Sequence, residues 1–471
     1  MIPKLLSLYI FLSLFLFSLS KDKVIFVFEH FRHGARSPSG VNEQGLDVLK
    51  EKWFGEKELS YVGQRQHFLL GQFMRNKYSD LINYKEYNPR EIEALSTRTN
   101  RTVMSARAQL TGIFIDKKTN LFNDWQEETS VPYYLKELIK KNDFNKSTLY
   151  PENYPEEIPV HVVDYAEKLI QLEKDDMCPA IKNIRKKNKK RKEIKDFIKE
   201  FNSTYGEQLL RINNISDKDF YMDYDNINDL CIATIINVFD DRNFSIFNNE
   251  IDIDKLYNVS TKWFELKIKT VYASDADGLI GYIGASIFLR KVLSYMERIL
   301  TADPSDKNDA PKMVLFASHD TAIATMEALI FSLFEIETLP PYFSASYIFE
   351  LVEDKENNEY KVNFVFNNNT LKTVTYDDFR TQILNFSWTY ERTGNYCGFL
   401  PEKEENKFGD TLNETITTIE QKTNSNKKWT VVLVIFSVLN VIAIGAIGFL
   451  LFKFRSSKNG SDYLDNLNNN N

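Results

Sequence analysis

Cysteine and histidine are scarce in this chain, and positive charge is not in excess. Three cysteines in 471 residues, Cys178, Cys231 and Cys397, exclude a disulfide-dense scaffold and leave room for one internal bridge and one free thiol. A net charge of −7 argues against a general nucleic-acid binder, so no nucleic-acid partner is expected. The histidines are only five, His30, His33, His67, His161 and His319, and no pair has metal-ligand spacing on a convincing element, so no metal site is expected.

What the chain does have begins at its ends. Residues 1–20 place Lys4 before an apolar stretch and small residues before Lys21, the layout of a cleaved secretory signal peptide. Thr430 to Phe452 is uncharged and mostly apolar, long enough as a helix to cross a hydrocarbon core of ~30 Å. Together they predict a type I single-pass membrane protein, its body outside the cytosol and residues 453–471 forming a cytosolic tail. Asn-x-Ser/Thr sequons at Asn145, Asn202, Asn214, Asn243, Asn258, Asn368, Asn385 and Asn413 agree with a glycosylated lumenal or extracellular body.

Between the ends, three segments repeat an apolar strand, a charged loop and a helix. Val24–Phe28 leads into Arg32-His33-Gly34-Ala35-Arg36-Ser37-Pro38 and a helix over 64–78. Ile92–Leu95 leads to Arg101 at the start of a helical pattern, and Met313–Ala317 leads to Ser318-His319-Asp320 and a helix over 321–334. Such units predict an α/β sheet with the charged loops beyond the carboxyl ends of its strands. Residues 126–265 read instead as a mostly helical cap insertion, with helical patterns over 166–174 and 193–201, dividing a catalytic core of residues 21–125 and 266–400. Within the insertion, the basic run Arg185–Lys192 reads as a solvated helix face. Residues 401–428 read as a polar stalk before the membrane helix, residues 429–452.

The charged loops suggest chemistry. Guanidiniums clamp tetrahedral anions with paired hydrogen bonds, and an imidazole can attack phosphorus to form a phosphoramidate. A carboxyl group can protonate a leaving alkoxide, which favours acidic pH. His30 reads as a strand-end histidine satisfied locally, and His67 and His161 as ordinary surface or packing residues. Arg98 either adds positive potential or simply faces solvent.

The residues also carry a family resemblance. Arg32–Pro38, Ser96-Thr97 with Arg101-Thr102 and Met104-Ser105-Ala106, and His319-Asp320-Thr321 resemble the histidine acid phosphatase family, as do Leu59-Ser60 with Gly63 and Gln66, and Leu339–Tyr342 with Phe349-Glu350-Leu351. With the signal and anchor, the plan is similar to lysosomal and protozoan membrane-bound forms. The resemblance implies a phosphoglycerate mutase-like α/β domain with a smaller helical domain inserted. It implies an acid phosphatase acting on small phosphomonoesters without a cofactor: His33 as nucleophile, Asp320 as proton donor, and Arg32, Arg36, Arg101 and His319 as phosphate ligands. It further implies a Cys178–Cys397 disulfide, is compatible with a homodimer, and suggests lysosomal, endosomal or cell-surface residence. The sequence departs from the family at Arg98 and Asn100, where Asp is usual, and Asn100, formally a sequon, is expected to be unmodified. Ala322, where many phytases of the family have Asn, favours a general phosphatase. A catalytically silent ectodomain of the same fold, serving binding or adhesion, is the alternative.

Overall fold

The computed structural model describes residues 22–37, 55–115, 158–162, 178–212, 221–240, 251–274, 279–301 and 310–398, all within the compact unit Met1–Glu402. The segments expected to form the signal peptide, the stalk, the membrane helix and the tail, together with Pro38 and the helical pattern over 166–174, lie outside the described residues.

In chain order the elements are β1 (Lys23–Arg32), α1 (Tyr61–Lys77), β2 (Ile92–Ser96), α2 (Asn100–Ile113) and β3 (His161–Val162). Then come α3 (Pro179–Asn188), α4 (Lys192–Ile212), α5 (Tyr224–Asp240), α6 (Ile253–Lys267) and a π-helical turn, Ile268–Tyr272. The chain continues through α7 (Leu279–Thr301), β4 (Met313–Ser318), α8 (Asp320–Phe334), β5 (Ser346–Asp354), β6 (Glu359–Phe366), β7 (Asn369–Thr375), α9 (Tyr376–Phe386) and α10 (Tyr390–Cys397).

The strands form one mixed sheet in the order β3-β2-β4-β1-β5-β6-β7. The β3, β2, β4 and β1 strands run parallel, whereas β5, β6 and β7 form an antiparallel meander added to the edge of β1. This gives a mixed α/β fold around a central sheet, as the apolar runs and intervening helices imply. The meander is what the strand–loop–helix repeat alone does not contain.

Strand β1 is the axis of the molecule. Its β-branched and aromatic residues suit a central strand buried on both faces. Alternation sends Phe26 and Phe28 toward α7, where Phe288 and Tyr295 meet their rings. Val27 and Phe31 point the other way, into a cluster with Met74 of α1 and Leu110 of α2. Each such ring, taken fully out of water, contributes up to about 3 kcal/mol. Helix α7 is long and apolar enough to resemble a membrane span, yet most of its residues between Ile280 and Glu297 are buried in the protein.

Helices α4, α5 and α6 build a second core of their own. Phe201, Leu209, Leu230, Leu256 and Trp263 from α4, α5 and α6 pack together. The helical run extends through Tyr272. The basic run is not wholly a solvated face: Arg185 is buried with its guanidinium 4.5 Å from the ring centre of Tyr272, although Lys186 and Lys187 are exposed. Cys178, at the head of α3, is disulfide-bonded to Cys397 at the end of α10.

Candidate active site

The neighbouring strands β2, β4 and β1 are parallel, so their carboxyl ends lie side by side at one edge of the sheet. The three charged loops leave from those ends, which is why residues separated by nearly 300 positions come together. Three helices also begin there: α1, capped by the Ser60 side chain, α2 after Thr99 and α8 after His319. Helix N-termini bring unpaired N–H groups and partial positive charge, a favourable setting for an anion.

The loop that carries His33 is held by its backbone. His33 N–H donates to the Ser318 carbonyl (3.0 Å) and Arg32 N–H to the Ala345 carbonyl (2.9 Å). Gly34 N–H donates to Ser105 Oγ (3.1 Å), and Ala35 N–H to Gln66 Oε1 (2.9 Å). A Cβ on Gly34 would lie 2.4 Å from the Gly63 carbonyl oxygen, so only glycine lets the loop cross α1 this closely.

His33 is 2% exposed and its Nδ1 lies 2.8 Å from the Gly34 carbonyl oxygen. A carbonyl only accepts, so the proton sits on Nδ1 and the lone pair on Nε2. Burial holds the ring's pKa well below its ordinary value, helped by Arg101, Arg32, His319 and Arg36. Burial and the surrounding cations thus favour the neutral imidazole, whose lone pair on Nε2 is the one able to attack.

Around it stand the cations. Arg32 donates from Nη1 to the Pro341 carbonyl (3.0 Å) and pairs through Nη2 with Asp320 Oδ2 (3.0 Å). Its guanidinium lies 4.2 Å from the ring centre of Phe343 and 5.2 Å from that of Phe264, so aromatic faces flank the charge. Arg36 Nη1 donates to the Ser37 carbonyl (2.7 Å). Arg101 Nη2 lies 3.2 Å from His319 Nδ1. Since guanidinium only donates, His319 accepts at Nδ1 and carries its proton on Nε2, 3.2 Å from Thr97 Oγ1. The ring centres of His33 and His319 are 5.6 Å apart.

The Nε atoms of Arg32, Arg36 and Arg101 are each buried without a hydrogen-bond partner among the described residues. Burying such donors unpaired costs roughly 1–3 kcal/mol each, more for charged groups, and a multi-oxygen anion satisfies them together. Burial also lowers the pKa of all three guanidiniums; neighbouring arginines add to the effect at Arg36 and Arg101, and Asp320 opposes it at each.

Asp320 opens α8, and its Oδ1 accepts from Thr321 N–H (2.9 Å). Burial alone pushes its carboxyl up, but Arg32, Lys267, His319 and Arg36 together outweigh this and hold it at about 2. The group is therefore ionised at rest.

All six residues singled out in the sequence, Arg32, His33, Arg36, Arg101, His319 and Asp320, come together here. Asn100 lies outside them, its amide donating to Glu58 Oε1 (3.2 Å), and Arg98 is exposed. His30 lies on the far side of β1 between Ser318 Oγ (2.5 Å) and Met326 Sδ (3.3 Å), a locally satisfied core group. His161 is exposed on the edge strand β3. Of the surface and packing roles read from sequence His67 has the buried one, and it is also bonded to the Arg32 carbonyl.

The sequence reading did not identify Phe264, Lys267 or Phe343. Phe343 follows the Leu339–Tyr342 motif directly, so that motif was its available signal. Phe264 and Lys267 come from α6, and nothing in their spacing separates them from ordinary core and surface positions. Lys267 is 6% exposed, donates to Asn228 Oδ1 (3.1 Å), and has its ammonium 5.4 Å from the ring centre of Phe264. Two cations thus share one aromatic ring at the boundary between insertion and sheet.

A model of the histidine phosphatase superfamily, branch 2, matches residues 23–367. Human prostatic acid phosphatase is 24% identical over 350 residues, covering 72% of this chain and 76% of that protein. Lysosomal acid phosphatase of Rattus norvegicus is 22% identical over 351 residues, covering 73% and 70% respectively. Among solved structures, the phytase of Citrobacter braakii superimposes with a TM-score of 0.50 at 13% identity, covering 78% of this chain and 98% of that one. That last likeness concerns the fold.

Proposed function

The chain belongs to the histidine phosphatase superfamily, branch 2, and on that premise we propose that it is an acid phosphatase that hydrolyses small phosphate monoesters through a phosphohistidine. The observation that carries the reading is the set of buried, unpartnered Nε donors on Arg32, Arg36 and Arg101 around a neutral His33. In this reading the arginines and His319 bind the phosphoryl oxygens. Nε2 of His33 attacks phosphorus, the ester P–O bond breaks, and Asp320 gives its proton to the departing oxygen. Water then attacks the phosphohistidine and returns a proton to Asp320. The P–N bond breaks, inorganic phosphate leaves, and His33 is neutral again.

The charge balance supplies a reason for acidic operation. Asp320 is ionised beside its cations, so it needs a proton before it can act. A phosphate monoester below about pH 6 is a monoanion and carries one. Its bound charge also offsets the arginines, raising the carboxyl group toward protonation. When a phosphoryl oxygen draws Arg101 away, His319 Nδ1 becomes free to take a proton and donate it to the ligand.

The body is proposed to lie outside the cytosol, membrane-anchored by residues 429–452, in a lysosomal, endosomal or cell-surface setting. Lysosomal and prostatic acid phosphatases among its relatives support such a location. No observation favours the silent-ectodomain alternative.

The test is hydrolysis of an aryl phosphate by the full-length protein in detergent from pH 4 to pH 9, with and without chelator. Activity should peak in acid, survive the chelator, and fall at least 1000-fold in His33→Ala. Absence of phosphate release at every pH would overturn the reading.

A further inference from the structure

Behind the nucleophile loop runs a buried polar chain that the chemistry above does not use. Glu29 of β1 accepts from Ser346 Oγ of β5 (2.5 Å) and from Gln109 Nε2 of α2 (2.5 Å). The other end of the Gln109 amide lies 3.0 Å from His67 Nδ1, and His67 Nε2 lies 3.1 Å from the Arg32 carbonyl oxygen. Glu29, His67 and Gln109 are all 0% exposed. A Cβ on Gly71 would lie 2.0 Å from the Gln109 carbonyl oxygen, so the bare glycine is what lets α1 and α2 close on this chain.

Counting protons restricts what the chain can be. With the Gln109 oxygen toward His67, both ring nitrogens face acceptors, so the ring is an imidazolium and Glu29 a carboxylate. With the amide turned over, Glu29 is a neutral acid donating to Gln109, and His67 is neutral with its proton on Nε2. The two arrangements hold the same number of protons, and both keep an N–H on the Arg32 carbonyl. Remove one proton and neither survives. The carboxylate then claims the amide N–H, the Gln109 oxygen turns to Nδ1, and one ring proton must serve two acceptors. One of the two contacts becomes lone pair against lone pair.

We propose that Glu29, Gln109 and His67 are positioning residues of the nucleophile loop, sharing one proton whose loss releases the Arg32 carbonyl. This deepens the phosphatase reading and rests on it. Burial pushes Glu29 up to about 7, against the opposing hydrogen bonds from Ser346 and Gln109 and the charge of Lys77. Burial likewise pushes His67 down to about 4, so the neutral arrangement is favoured. The charged and titratable groups facing the chain are Lys77 and Tyr78 from the end of α1, both bonded to Glu350 of β5 (3.0 and 2.7 Å), and Arg32 itself. The ring of Phe31 covers His67, with centres 5.0 Å apart. The alkaline loss of activity is then set partly behind the site rather than only within it.

The test compares kcat and KM against pH for the full-length wild type and Glu29→Gln on an aryl phosphate. Glutamine reproduces the protonated acid: its N–H donates to Gln109 and its oxygen accepts from Ser346, with nothing to titrate. A group titrating near 7 is only about one-tenth protonated at pH 8. The ratio of kcat at pH 8 to kcat at pH 5 should therefore rise about tenfold in Glu29→Gln, with KM little affected. An equal ratio in both proteins overturns the proposal. Should the variant fail to fold, histidine-selective 15N NMR of the wild type decides instead, assigned with His67→Asn. The His67 ring signals should move with a midpoint near pH 7, and signals unchanged from pH 5 to pH 9 overturn it. A wild type inactive at pH 5 would overturn the phosphatase reading, while the NMR titration still decides the shared proton.

Discussion

At the level of single residues, Asp320 shows how one group is set by opposing forces. Burial favours its neutral form, yet Arg32 at 3.0 Å and the cations behind it hold the carboxylate at about 2, below the ordinary 3.8. A carboxyl group depressed on folding stabilises the protein above its unfolded value and loses that contribution as pH falls toward its folded value. The window is thus about pH 4 down to pH 2, and the contribution is on the order of 2 kcal/mol. Thermal melts from pH 5 to pH 2 should show a steeper loss of stability in the wild type than in Asp320→Asn. Catalysis gives a separate readout. Asparagine cannot supply a proton, so hydrolysis of an alkyl phosphate should fall by roughly 100- to 10,000-fold. A nitrophenyl ester, whose leaving group needs little protonation, should lose far less. Equal losses on both esters would remove Asp320 from the acid role.

At the level of elements, the ends of β1, β2 and β4 were legible because apolar runs stop where charges begin. A continuous apolar run followed by Arg-His or His-Asp points to the edge of a sheet whatever its neighbours are. Burial could not be read so directly. Glu29 is one polar residue within an apolar strand, and His67 lies at helical spacing where a packing histidine would also lie. Only the pairing of β1 with β5 and the closure of α1 on α2 turn them into a chain behind the loop. The same holds for Phe264, which belongs to a helix whose sequence specifies amphipathicity but not what its face meets. Its ring stands between Arg32 and Lys267 and packs on Tyr342 with centres 5.3 Å apart. Phe264→Leu keeps most of the volume and removes the π face. Cation–π contacts are worth about 1–2 kcal/mol when desolvated, so competitive inhibition by inorganic phosphate should weaken several-fold. Inhibition constants equal to wild type would leave Phe264 with a packing role alone.

At the level of the whole molecule, the helices from α3 to α6 meet the rest of the fold through contacts that include two of different chemistry. One is the aromatic boundary beside Arg32. The other is the Cys178–Cys397 bridge, which joins residues 219 positions apart and packs with Ile181, Ile283 and Trp388. Closing so long a loop removes chain entropy from the unfolded state, worth up to about 5 kcal/mol in the simplest account. Such a bridge persists in oxidising compartments, which accords with the proposed location outside the cytosol. The remaining cysteine behaves differently. Cys231 is buried in the core of the insertion, and burial pushes its thiol up to about 12, so it stays a protonated, enclosed thiol at physiological pH. The three cysteines therefore make one numerical prediction about the oxidised protein. Thiol titration should find none reactive in the native state, one after denaturation without reductant, and three after denaturation with reduction and reductant removal. Replacing Cys178 and Cys397 by serine should lower the denaturant midpoint while sparing the acid-pH rate at 25 °C, because the bridge lies away from the carboxyl ends of β1, β2 and β4. Three reactive thiols in the denatured, unreduced protein would mean that the bridge is not formed. The stability of the insertion would then rest on its own core and its aromatic boundary with Arg32.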